Sequence, residues 1–550
     1  MTSGTVSTAS TDGATLGPVR SLARTLRTVR HLKPVQVTNR VKRRLLPAKP
    51  RLAPPPGRRA ATAATGPLGR PSSLLGQWRV RFLDIEAELA PGAAAWNDQR
   101  QSKLWLYNLH YFDGLLHPAT PDQLKQSYID RWLHENPPGA GNGWEPYPTS
   151  LRIVNWIKWG MLRGDIGPDA IASLAIQARF LADSLEYHLL GNHLWANGKA
   201  LLFAGLFFEG AEAESWRALG SSILDAELEE QFLSDGGHFE RSTTYQATML
   251  EDVLDIVALE SEAASPRLAT WRDVAGRALA WLVVMTRPDG RVPLWNDAAN
   301  DIAPTTQALL DYAQRLGVTP PSAPSLGLSR LDATGYYRWE SRSWTAWADC
   351  GPIGPDYIPG HAHADIFNFE LFANGVPLIV DTGISTYDVG PRRAFERSTA
   401  AHNTVGIAGG DQAELWGAFR VGRRPRIHDR RVGPTSLAAA HDGYRHLGVQ
   451  HRRQFDFADD AIVIADTVTR TRSGLQAVSR LHFAPGVTPQ LTGARVIAGS
   501  ASIEFDGAQS AWFEACEIAE GFNRRSPAIC LVVQFDQALR MAISPCAFSS

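Results

Sequence analysis

Apolar residues recur three and four positions apart in Ile171 to Leu190, His193 to Phe208, Tyr245 to Ala263 and Trp271 to Met285, and Gly, Pro and Asp-Gly mark the gaps. That is the period of helices with one buried face, so from about Ser72 to Gly327 the chain predicts helix after helix. Antiparallel helical hairpins are the simplest way to join them. After about Leu328 the period changes. Tyr336 to Trp339, Ala346 to Ala348, Ala461 to Ala465 and Ile529 to Phe535 are β-branched or alternating, with Gly, Asp and Pro turns between them, which predicts an antiparallel β-sandwich. Pro320-Pro321-Ser322-Ala323-Pro324 is the natural linker. The expected division is a leader over 1–71, a helical domain over 72–327 and a β-domain over 328–550.

Composition narrows this picture only slightly. A chain of 550 residues is too long for one ordinary core. With 20% charged residues, 44% hydrophobic residues and a formal net charge of −1, it reads as a soluble globular protein with no global bias toward nucleic acid. Cys350, Cys516, Cys530 and Cys546 show no Cys-x-x-Cys spacing, which leaves no redox or zinc-ribbon motif. Without a secretory pattern at Met1 to Ser7 or a long apolar run, cytoplasmic residence is the default expectation.

Charge matters locally at the N-terminus. No Asp or Glu falls between Gly13 and Leu83, while Arg and Lys are frequent there. Arg20, Arg24, Arg27 and His31 lie at helical spacing opposite Leu22, Leu26 and Val29, the pattern of a short basic amphipathic helix. Such a segment predicts either a solvated, partly disordered leader or a contact with an anionic lipid surface or a polyanion. Its expected part is localisation, not catalysis.

Candidate chemistry gathers between Gly360 and Thr404. If His361 to Leu371 is extended, His361, His363 and Asp365 share one face, followed on it by Phe367, Phe369 and Leu371. Asp381 ends an apolar run, and His402 precedes the strand-like Asn403 to Ile407. Imidazoles and a carboxylate from neighbouring strands can converge on one divalent ion, although the same types also occur as solvated or core residues.

Together with Gly191-Asn192-His193-Leu194, Asp235-Gly236-Gly237-His238-Phe239-Glu240-Arg241-Ser242 and Tyr245, this stretch resembles the heparinase II/III family of polysaccharide lyases over roughly residues 75 to 545. The resemblance implies an α+β multidomain chain, an incomplete (α/α) toroid followed by a C-terminal antiparallel β-sandwich. It also implies β-elimination of an anionic, uronic-acid-containing polysaccharide at the domain interface. By that likeness Asn192 and His193 neutralise the substrate carboxylate, Tyr245 acts as base, acid or both, and His361 is the second base. A cation near Tyr245, such as Arg241, would favour phenolate. His363, Asp381 and His402 correspond to a structural zinc site. Trp144, Tyr147, Arg152, Trp195 and Asn197 suit the lining of a sugar cleft, and Arg241 and Arg397 suit carboxylate binding. All of these also suit a core.

Two other readings use the same sequence. An α/α-toroid glycoside hydrolase would employ two carboxylates such as Asp289 and Asp297. A non-catalytic saccharide-binding protein of exopolysaccharide biosynthesis would leave Asn192, Tyr245 and His361 without a task.

Overall fold

In the computed structural model, residues 18–59, 66–471 and 474–546 are described. Antiparallel helices fill the first half, and two of them show why the hairpins close. Helix Gly191–Phe207 is buried on nearly every side and lies against helix Ala211–Gln231. A Cβ on Gly220 would fall 2.6 Å from the Leu202 amide nitrogen, and one on Gly205 would fall 2.5 Å from that of Arg217. Only glycine permits so close an approach. Helices Pro146–Arg163, Pro168–Asp183, Thr243–Glu262 and Leu268–Val284 complete the curved layer. Fully buried Trp105, Trp132, Trp156, Trp159, Trp195, Trp271 and Trp281 fill its interior.

This interior also holds charge. Asp255 accepts from Lys158, from Lys199 at 2.5 Å and from the Tyr312 hydroxyl at 3.0 Å. Although burial opposes its ionisation, Lys158 and Lys199 hold its pKa at about 2. Removing one partner from a buried ionic cluster leaves the others uncompensated. We expect Asp255→Ala to cost roughly 3–5 kcal/mol in denaturant unfolding, and a loss under about 1 kcal/mol would show the cluster to be solvated.

Two segments depart from the sequence reading. The stretch expected to start the helical run forms a three-stranded sheet, Leu74–Gly76, Arg79–Phe82 and Ile85–Glu88. Trp78, Leu83 and Asp84 take φ values of 66°, 53° and 59°, which turn the chain back twice within a dozen residues.

The leader, expected as solvated and partly disordered, forms helices α1 (Pro18–Val29) and α2 (Pro34–Leu45), both docked on the body. In α1, Arg27 donates to Glu414 at 2.7 Å, Arg24 lies over the Trp416 ring, and Thr28 accepts from the Trp416 indole. In α2, the buried Gln36 amide reaches the carbonyls of Leu189 and Tyr357, one from each domain. Much of the leader's charge therefore meets this protein's own carboxylates and carbonyls. The parts of the leader at 1–17 and 60–65 lie outside the described residues.

The second half is antiparallel sheet. Strands Gly327–Leu331, Tyr336–Glu340, Trp344–Asp349, Phe369–Ala373 and Val376–Ile379 pair in chain order. A larger sheet is built on the paired long strands Ala501–Gly521 and Arg524–Pro545. Side chains of both sheets, among them Phe369, Leu371, Phe455, Ile464, Leu531 and Val533, form the shared core of a sandwich. The helical run ends at Arg315 and the first of these strands begins at Gly327.

Candidate active site between the helical and β domains

Three helices begin at one place. Tyr147 lies in the first turn of Pro146–Arg163, Asn192 and His193 in that of Gly191–Phe207, and Tyr245 in that of Thr243–Glu262. Ser242 caps the last of these by accepting from the Tyr245 amide at 3.3 Å. Helix N-termini carry partial positive charge and free N–H groups, so their convergence favours an anion between them. The Tyr147 and His193 rings are 4.5 Å apart, and Asn192 donates to the Tyr147 phenol oxygen. Glu186 contacts His193 Nδ1 at 3.2 Å. Burial disfavours the charged imidazole, but the Glu186 carboxylate outweighs it and raises the His193 pKa.

From the β side, His361 lays its ring on Tyr245 with centroids 4.0 Å apart. The extended reading of His361 to Leu371 fails here, because 361–368 is a loop and the strand starts at Phe369. Its backbone is held by loops and side chains in place of a ladder. The His361 carbonyl accepts from the Asp297 amide, the His363 amide donates to Asn296 Oδ1, and Ala364 donates to the Arg397 carbonyl. A turn at Phe367, φ 67°, separates the histidines from the apolar tail.

His361 Nδ1 meets Asp297 Oδ2 at 2.8 Å, and Nε2 stands 3.5 Å from Glu240 Oε2. Asp297 is fully buried and clamped by both terminal nitrogens of Arg393, one at 2.7 Å. Burial works against its charge, yet Arg393 and the two histidines hold its pKa well below the usual carboxylate range. Glu240 moves the other way, since burial raises it against the pull of His361 and His193. Tyr245 is likewise pushed well above the ordinary phenol range, first by burial and then by Tyr387, Tyr147 and Glu240.

The expectation that Arg241 would favour a Tyr245 phenolate does not hold. Arg241 is buried and donates to the carbonyls of Thr334, at 3.0 Å, and Phe239, at 2.9 Å. Five further residues expected in the cleft have partners within the protein for equally local reasons. Trp144 stacks on Trp132 and donates to the Asn136 carbonyl. Arg152 is wholly buried over the Trp132 ring, with its donors on Gly143 O and Gln177. Trp195 is enclosed by Phe232 and Trp271. Asn197 accepts from the Glu186 amide at 2.8 Å and donates to Ser150 and to the Glu186 carboxylate, so it positions Glu186. Arg397 binds the carbonyls of Ala362 and Ala418, anchoring the His361 loop, and pairs with neither Glu396 nor Asp388. Of the seven, Tyr147 is the one in ring contact with His193.

The carboxylate pair of the hydrolase reading is also committed elsewhere. Asp289 pairs with Arg287 at 2.7 Å and caps its own turn, while Asp297 is saturated by Arg393, His361 and His363. Tyr387, Arg393, Glu240 and Glu186 were not singled out from sequence. Arg393 and Arg397 stand one turn apart on helix Pro391–Arg397, so a helical reading of that segment would have paired them.

Behind His361, the three expected metal ligands come together. His402 Nδ1 meets Asp381 Oδ2 at 2.7 Å, and the His363 and His402 ring centroids are 5.3 Å apart. Among the described residues no group of three or more His, Cys, Asp or Glu side chains is already arranged around a metal position. The donor chemistry nevertheless fits a cation. His363 Nδ1, His402 Nε2 and both carboxylate oxygens of neighbouring Asp365 are buried without a hydrogen-bond partner. Unpaired buried polar atoms of this kind call for a missing partner.

Models of two adjoining regions match the chain: "Heparinase II/III N-terminus" over residues 169–318 and "Heparinase II/III-like, C-terminal" over 323–544. A heparin-sulfate lyase of Bacteroides thetaiotaomicron is 25% identical over 336 residues, 51% of this chain and 48% of that protein. The FtsZ-localized protein C of Caulobacter vibrioides is 27% identical over 379 residues, 64% of this chain and 62% of that one. The chain thus spans about half the length of the heparin-sulfate lyase it matches. Among solved structures, a heparinase III superposes with a TM-score of 0.63 at 18% identity, covering 83% of this chain and 78% of that one. A heparan sulfate lyase mutant from Pedobacter heparinus gives 0.61 at 16% identity, covering 94% and 88%. These likenesses carry the toroid-plus-sandwich fold.

Proposed function

Because this chain belongs to the heparinase II/III family, we propose that it is a polysaccharide lyase that cleaves a uronate polymer by β-elimination between its two domains. The observation that carries the reading is the close, tilted ring contact of Tyr245 with His361 across the domain boundary, beside three converging helix N-termini.

Asn192 and the His193 imidazolium bind the uronate carboxylate, whose negative charge grows as the C5 proton leaves. Asp297 on Nδ1 fixes the His361 tautomer so that Nε2 carries the free lone pair, and Nε2 takes the C5 proton. Tyr245, kept as a phenol by burial, gives its proton to the departing O4 oxygen. The C4–O4 bond breaks as the C4–C5 double bond forms. The His361 imidazolium then holds the proton that the Tyr245 phenolate needs, one ring contact away.

The cleft bears on the substrate class. Arg152, Arg241, Arg393 and Arg397 are all consumed within the protein, while Glu186 lies against His193 and Glu240 and Asp297 lie against His361. We therefore propose a uronate polymer without dense sulfation. Incubation with matched sulfated and unsulfated uronates tests this by the ultraviolet absorbance of the unsaturated end. The reading fails if no uronate yields that chromophore, and the substrate class fails if only sulfated polymers do.

Two observations favour a second reading, saccharide binding without turnover. The expected substrate cations are spent internally, and one relative is named for its localisation. Binding without chromophore in the same incubation would support it.

We also propose that His363, His402 and the Asp381 carboxylate, with Asp365 beside them, hold one structural zinc ion. When bound it would cross-link the loops behind His361 without touching substrate. Metal analysis of protein purified without chelator should return about one zinc per chain. A chelator should lower its melting temperature; metal-free protein with unchanged melting would refute the site.

A further inference from the structure

Helices α1 and α2 each have one face on the body and one face that is exposed among the described residues. On α1 the inner face is Arg24, Arg27 and Thr28, and on α2 it is Val35, Gln36 and Arg43. The outer faces are aliphatic. Leu22, Leu26 and Val29 of α1 and Val37, Val41 and Leu45 of α2 are between 44% and 72% exposed, with Leu46 next to them at 70%. They recur at three- and four-residue intervals, so each set forms a stripe along its helix. Soluble surfaces scatter single exposed aliphatics and do not normally align six of them. Beside the stripes, Lys42, Arg44 and Lys49 are exposed and have no carboxylate partner among the described residues.

We propose that the outward faces of α1 and α2 are a docking surface for an anionic lipid bilayer. Charge complementarity selects this occupant. The stripes are flanked by unpaired cations, and no acidic residue occurs from Gly13 to Leu83 to repel anionic headgroups. A second copy of this chain would bring like charges together. Residues 1–17 offer only Met1, Val6 and Leu16 as larger aliphatic side chains, too few to cover two stripes. Exposed aliphatics on two docked helices can enter the boundary between headgroups and acyl chains without a shaped partner groove, whereas a soluble polyanion would use the cations and leave the leucines in water.

Because Arg27 and Gln36 hold the inner faces, binding sets the catalytic cleft at a fixed place relative to the membrane. It does not require the leader to unfold.

The test is co-sedimentation of the full chain with phosphatidylcholine vesicles with and without phosphatidylglycerol, at low and high salt. Binding is expected only to the anionic vesicles, weakened by salt, and lowered about tenfold or more by Leu22→Glu with Leu26→Glu or by Val37→Glu with Val41→Glu. Lys42→Glu with Arg44→Glu should weaken it by a similar factor. Since all six side chains point outward, the variants should keep the wild-type melting temperature. Absence of binding to anionic vesicles overturns the proposal. So does binding that survives the aliphatic replacements, or a soluble uronate polymer that binds the leader with the aliphatic variants unaffected.

Discussion

Tyr245→Phe lowers turnover on a cleaved uronate by about 10²–10⁴-fold, with KM changed little. The substitution removes one oxygen and keeps the ring against His361, so the ring contact survives while proton donation and the hydroxyl's hydrogen bond with Tyr387 are lost. Burial, reinforced by Tyr387, Tyr147 and Glu240, puts the phenol well above its ordinary pKa. The direction fixes the role. A raised tyrosine is protonated throughout the neutral range, and any contribution it makes as an acid is present below its folded pKa and lost only above it. Tyr245 therefore adds no alkaline limb to the wild-type pH profile below the ordinary tyrosine range. Steady-state kinetics on both proteins over pH checks this. A limb near neutrality that vanishes in Tyr245→Phe would make the residue a phenolate base.

The second large effect belongs to a residue that does not touch substrate in this account. Asp297→Asn should lower kcat by about 10²–10⁴-fold, as expected when a buried carboxylate no longer sets the tautomer of a catalytic histidine. KM should stay within about threefold, because the carboxylate-binding groups Asn192 and His193 come from another part of the cleft, the start of helix Gly191–Phe207. The neutral amide would leave Arg393 without its counter-charge, so some melting temperature is lost too. A merely structural role predicts the melting loss alone. The kcat loss should also persist at a temperature where spectroscopy shows the variant fully folded. Unchanged kcat in folded protein would remove Asp297 from the mechanism.

The residues that first suggested a site were legible because they sit in contiguous motifs. Asn192 and His361 fall within such motifs and Tyr245 lies three residues after one, and the change of period near Leu328 separated helices from strands. What stayed hidden is what only folding brings together. Asp297 reaches His361 across 64 residues and Arg393 reaches Asp297 across 96, distances at which spacing carries no signal. Polar residues next to the motifs misled for a related reason. Arg152 and Arg397 read as ligand-binding guanidiniums, yet backbone carbonyls supplied by turns satisfy them. A sequence does not show which carbonyls a turn leaves free. The leader misled through composition, since its acid-free run suggested a solvated tail while its partners Glu414, Glu230 and Glu214 lie far along the chain.

The mechanism stands or falls on how the glycosidic bond is broken, and cleavage of an accepted uronate polymer in water enriched in heavy oxygen reports on that bond. Elimination draws no oxygen from solvent, so both fragments should be unlabelled when the new reducing end is reduced to the alditol before it exchanges, and one should carry the ultraviolet-absorbing unsaturated uronate. Tyr245→Phe and His361→Ala should each suppress both fragments together. Cleavage without the chromophore, or heavy oxygen in a product whose reducing end was fixed by reduction before exchange, would mean hydrolysis and would contradict the roles given to Tyr245 and His361.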